Sequence, residues 1–128
     1  MKYLLTFILI ASLFWPVATV GQTAPADVLI AASPQFAVAI NWTQTSDATV
    51  AWLYQCQPQL ACKAVGSVQA RRGQRVGLLD GYGPLGTRYV LYEYRATAEG
   101  YQALGQYDLG EVTAASLVRR VYVPVVRR

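Results

Sequence analysis

From Asp27 to about Ala114 the chain alternates apolar and polar residues in short runs, and each run ends in a turn cluster. Successive side chains on a strand point to opposite faces, so this pattern builds half-buried strands rather than helices. The runs are Asp27 to Ala32, Phe36 to Thr43, Thr49 to Cys56, Lys63 to Ala70, Arg75 to Leu79 and Thr87 to Thr97, with one more strand within Tyr101 to Ala114. Ser33-Pro34, Ser46-Asp47, Asp80-Gly81, Gly83-Pro84-Leu85-Gly86 and Glu99-Gly100 bend the chain between them, and Arg71-Arg72-Gly73 reads as a hairpin tip. In the second run Phe36, Val38, Ile40 and Trp42 share a face; in the sixth, Val90, Tyr92, Tyr94 and Ala96 do. Seven short strands at this spacing predict an all-β antiparallel sandwich. One domain over residues 27–116 accounts for them, with no linker and no internal repeat.

The first 26 residues read differently. Lys2 gives a short positive start, and Tyr3 to Trp15 is apolar and uncharged. Pro16 and a run of small residues follow. This is the layout of a secretory signal peptide. Removal after Gly21 and removal after Ala26 both fit the small-residue requirement. The expected location is therefore secreted or at the cell surface. A membrane link would come only from a leader left uncut, since Tyr3 to Val20 is just long enough to span a bilayer.

Charge sharpens this. The net charge is +4, yet Arg119, Arg120, Arg127 and Arg128 lie in the last ten residues and Lys2 in the leader. Between Gln22 and Val118 six basic residues face seven acidic ones, a net of −1. A nucleic-acid-binding domain needs a basic face on the fold itself, so nucleic acid is not an expected partner. There is no histidine, and the usual general base is thus missing. No acidic pair shows a spacing that suggests a glycosidase, although such pairs are assembled in space. The expectation is a protein that is not an enzyme and carries no cofactor or metal. Cys56 and Cys62 are the only cysteines. Outside the cytosol they are expected to form one disulfide closing a Pro58-containing loop. Two thiolates without histidine make a poor metal site.

Ile40-Asn41-Trp42-Thr43 followed by Ser46-Asp47-Ala48-Thr49 resembles the second strand and turn of fibronectin type III-like domains, an immunoglobulin-like sandwich family. Leu53-Tyr54-Gln55-Cys56 resembles the third strand, and exported bacterial members often carry a cysteine pair in the loop after it. Leu79-Asp80-Gly81 and Pro84-Leu85-Gly86-Thr87-Arg88-Tyr89 resemble the turn into the sixth strand, which ends here at Ala96 before Gly100. The resemblance covers about residues 28–114. It implies a sandwich of about seven strands acting as a spacer, adhesive or binding module, and it names no activity. Leu85 interrupts the usual Pro-Gly-Thr. Counting back in twos from Ala96 turns Val90 inward where the family has its corner tyrosine, unless a bulge restores Tyr89.

Four groups of residues are candidates for function. Trp52 and Tyr54 oppose Ala51 and Leu53 on their strand, so with the small face inward both rings face out. There they could stack on a sugar, fill a protein interface, or pair with Tyr92 or Tyr94 within the sheet. Arg71, Arg72 and Arg75 surround Gly73 and could meet an acidic polysaccharide or envelope phosphate, or simply be solvated. The tail over residues 117–128 holds Val121, Tyr122, Val123 and Pro124 between two Arg-Arg pairs. It reads as an edge strand, a strand donated to another subunit, a retention signal or a frayed end. Asn41-Trp42-Thr43 also matches a glycosylation sequon, taken as chance. The expected partner is another extracellular protein or a glycan; the oligomeric state is open.

Overall fold

The computed structural model describes residues 23–118. The bulk of the leader reading (residues 1–22) and the tail residues Val121, Tyr122, Val123 and Pro124 lie outside them.

Seven strands follow in order: β1 Ala26–Ala32, β2 Val38–Thr43, β3 Val50–Cys56, β4 Lys63–Val68, β5 Arg75–Asp80, β6 Arg88–Thr97 and β7 Gly100–Glu111, before a short 3-10 turn at Ala114–Ser116. They form two antiparallel sheets, β1-β2-β5 and β4-β3-β6-β7. The chain passes from one sheet to the other after β2, β4 and β5. Hairpins join only β1 to β2, β3 to β4 and β6 to β7.

The sandwich forms because the inner positions of the central strands are apolar. Val38, Ile40 and Trp42 of β2 are fully buried against Ala51 and Leu53 of β3 and Tyr89 and Leu91 of β6. Val76, Ala70, Ala32 and Val112 close the same cluster. Fully burying a Leu- or Ile-sized side chain stabilises by roughly 1.5–3 kcal/mol, so these few positions carry most of the driving force. Cys56 and Cys62 are bonded and clamp the β3–β4 hairpin. A loop this short contributes about 2 kcal/mol in the chain-entropy picture.

Three expectations are corrected. Phe36 does not continue the inner face of β2: its φ is 65° and the strand begins at Val38. Its ring instead meets Tyr82 edge-on at 6.3 Å. Arg71-Arg72-Gly73 is no hairpin tip, since β4 and β5 belong to different sheets and the segment is a crossover. The inward face of β6 is the opposite of that counted from Ala96. Tyr89, Leu91 and Glu93 are fully buried, whereas Val90, Tyr92 and Tyr94 lie on the outer side and Ala96 is exposed. Alternation along β6 is unbroken from Tyr89 to Tyr94. The register shifts of the β6–β7 pair fall beside it, between Tyr89 and Val90 and between Glu93 and Tyr94.

Candidate functional site

Two buried polar networks fix which side of β6 faces the core. At one end the Tyr89 hydroxyl donates to Asp80 Oδ2 at 2.7 Å, and Gln55 Nε2 donates to the same oxygen at 2.8 Å. Asp80 Oδ1 accepts from the Tyr82 amide, so the acid also holds the turn after β5. Burial, then the hydrogen bond to Asp80 and its charge, push the Tyr89 pKa far above the ordinary tyrosine value. Gly83 leaves the gap that admits this ring, because a Cβ there would overlap the Tyr89 hydroxyl and crowd Val38.

At the other end Glu93 is buried, with no cation beside it among the described residues. Gln44 Nε2 donates to its Oε2 at 2.6 Å and the Ser46 hydroxyl to its Oε1 at 2.7 Å. Gln44 in turn accepts from the Trp42 indole at 3.0 Å. Burial raises the Glu93 pKa, and the Ser46 and Gln44 bonds oppose that rise. The network ties the β2–β3 connection to β6 across the two sheets. Satisfied donors and acceptors let a polar group sit in a core.

With Tyr89, Leu91 and Glu93 turned in, the alternate residues turn out and build an aromatic face on the four-stranded sheet. Trp52 pairs with Tyr92, Val50 with Tyr94 and Tyr101 with Ala96. The Tyr54 and Tyr92 rings meet edge-to-face at 5.2 Å. Tyr92 thereby braces Tyr54, while Trp52, Tyr54, Tyr94 and Tyr101 are left to line an open groove of about 440 Å³ with Val50 and Ser67. Trp52 is 38% exposed and Tyr101 69%. Burial raises the Tyr94 pKa, with Tyr54 and Tyr92 adding to it, so its hydroxyl stays a neutral donor across the physiological range.

The strand order, β1-β2-β5 against β4-β3-β6-β7 with β4 at an outer edge, decides the fold class. The fold is fibronectin type III-like. Among solved structures, the fn3 domain of the human collagen α-1(XX) chain is similar over 75% of this chain and 90% of that one, at 21% identity and a TM-score of 0.43. A myokine structure is similar over 71% of this chain and 98% of its own, at 12% identity and a TM-score of 0.37. No protein-family model matches the chain, and no curated protein matches it in sequence.

The basic trio does not form one surface. Arg72 pairs with Asp47 at 3.0 Å, and Arg75 donates to the Asp27 carbonyl and the Thr43 hydroxyl. Only the Arg71 side chain has no partner among the described residues. The hollow beside them, about 820 Å³, is the larger of the two but broad and open, and it runs over the crossover from Gln69 to Gln74. Of its two arginines Arg72 is committed to Asp47, which leaves Arg71 alone over a broad hollow, so size alone does not make it the better site. Trp52 and Tyr54, in contrast, stand together with residues that lie far off in sequence. Tyr101 joins them because the β6–β7 hairpin folds back, and Ser67 because β4 pairs with β3. The signal for Tyr101 is its place directly after the Gly100 turn; nothing in the sequence marks Ser67. Among the described residues no cluster of three or more potential metal ligands occurs.

Proposed function

We propose that this protein is an exported, non-catalytic binding module whose contact surface is the aromatic face of the four-stranded sheet. The observation that carries the reading is the groove itself: one tryptophan and three tyrosines turned to solvent on rigid, paired strands. Large aromatic rings in water are costly to leave uncovered unless something uses them, and they cluster where proteins meet partners. Strands hold them in place, so binding costs little ordering entropy. The bonded cysteine pair suits an oxidising compartment, and the leader-like N-terminus suits export.

The test is where the protein is found. Chain produced with its own leader is separated into envelope-bound and freely soluble fractions. The unaltered protein is expected in the bound fraction, the Trp52→Ala, Tyr101→Ala double variant is expected to shift at least tenfold toward the soluble one, and Arg71→Ala is expected to behave as the unaltered chain does. An identical distribution of all three, with the double variant folded by circular dichroism, would contradict the reading.

A further inference from the structure

The groove on the four-stranded sheet has a chemistry narrower than that of a general contact surface, and the inference that follows rests on the proposed binding role. None of its six lining residues is charged. Among the described residues the ion pairs lie elsewhere: Arg88 with Asp108 and Glu111, and Arg72 with Asp47. An acidic polymer finds no cation there, and a charged peptide would lose hydration without gaining a counter-charge. Charge complementarity therefore points to a neutral occupant.

The lining aromatics are tryptophan and tyrosine, with no phenylalanine among them. Each has an apolar plane and one hydrogen-bonding tip: the Trp52 indole nitrogen and the hydroxyls of Tyr54, Tyr94 and Tyr101, joined by the Ser67 hydroxyl. Among the described residues none of these tips makes a hydrogen bond that would hold it away from a ligand, in contrast to Trp42 and Tyr89, whose polar atoms are used inside the core. Protein interfaces draw also on methionine, phenylalanine and arginine, and the groove has none of these. A sugar ring presents the complementary pattern, an apolar C–H face with hydroxyls around its rim.

The layout suits a chain rather than a single sugar. Val50, Trp52 and Tyr54 follow one another at alternate positions of β3, about 7 Å apart along the strand. Tyr94 and Tyr101 stand across the sheet from them, and the groove is open rather than enclosed. We infer that the groove binds an uncharged polysaccharide, laid along β3 with successive rings against Trp52 and Tyr54 and its hydroxyls against Tyr94, Tyr101 and Ser67.

The experiment is affinity gel electrophoresis of the exported protein in gels containing barley β-glucan, xyloglucan, galactomannan or amylopectin. At least one is expected to retard the protein, to the same degree in low and high salt, because no ion pair is involved. Trp52→Ala and Tyr101→Ala are each expected to weaken retardation at least tenfold, and Arg71→Ala to leave it unchanged. Tryptophan emission gives a second readout, since Trp52 lies in the groove and Trp42 is buried. A blue shift on adding the retarding polymer is expected, and it should vanish in Trp52→Ala. Retardation by none of the four polymers overturns the inference, as does retardation that Trp52→Ala and Tyr101→Ala leave intact. If the polymers fail but envelope retention still depends on Trp52 and Tyr101, the binding role stands and its ligand is a protein. If both fail, the binding role fails with it.

Discussion

The Tyr89 hydroxyl reaches Asp80 across one end of the sandwich, and that bond decides the fate of every second residue on β6. Tyr89→Phe removes the donor and leaves the buried Asp80 with Gln55 and a backbone amide. A buried group deprived of a partner costs about 1–3 kcal/mol, so the unfolding midpoint in urea is expected to fall with an unchanged slope. An unaltered midpoint would remove the bond from the account. Glu93 makes the opposite kind of claim, one about pH. Its carboxyl is raised above the unfolded value by burial. Its contribution is therefore full below the ordinary carboxylate pKa and is lost as pH rises through the elevated folded value. Tyr107 faces it from β7, its hydroxyl buried with no hydrogen-bond partner among the described residues and its own pKa raised by burial and by the Glu93 charge. Gln44 and Ser46 face it from the β2–β3 connection. Glu93→Gln keeps a neutral group in the same place. Thermal melts are expected to show the unaltered protein losing stability relative to Glu93→Gln as pH rises from 4 to 9. A stability difference that stays constant over that range would mean the carboxylate is not held in a dry site.

At the scale of the elements, β1 bears on where a leader would be removed. Ala26 pairs with Thr43, and the carbonyls of Thr23 and Ala24 accept from the Thr45 hydroxyl. Cleavage after Ala26 would strip these contacts away, whereas cleavage after Gly21 keeps them all. The exported chain is accordingly expected to begin at Gln22 when its N-terminus is sequenced; a start at Asp27 would mean that the fold does not need those residues. The strands themselves were legible because period-two alternation is local, but β3 is bulky on both faces, and Trp52 and Tyr54 could be placed outward only on the condition that Ala51 and Leu53 form its core face, which they do. The facing of β6 was not legible. Both of its faces are bulky, and the inward one carries a carboxylate, which local patterning assigns to solvent. Only Gln44 and Ser46, more than forty residues away, make that burial affordable. The groove was half legible for the same reason: Tyr101 and Ser67 reach it through pairing between strands, which a linear pattern does not encode. The crossover at Arg71 to Gly73 looks like a hairpin tip because turn residues mark a bend and not the sheet into which the chain re-enters.

For the whole molecule, the sandwich sorts its aromatics into two populations. Trp42 and Tyr89 fill the interior with their polar tips satisfied, and Trp52, Tyr94 and Tyr101 form the outer face of one sheet. The proposed binding role and its ligand both follow from that sorting, since a β6 turned the other way would take Tyr94 out of the groove and expose the carboxylate. Hydroxyl-radical footprinting read by mass spectrometry measures it directly on the folded protein. Trp52 and Tyr101 are expected to oxidise rapidly, and Trp42 and Tyr89 to stay protected until the protein is unfolded. Oxidation of Trp42 or Tyr89 at the rate of Trp52 under native conditions would contradict the account.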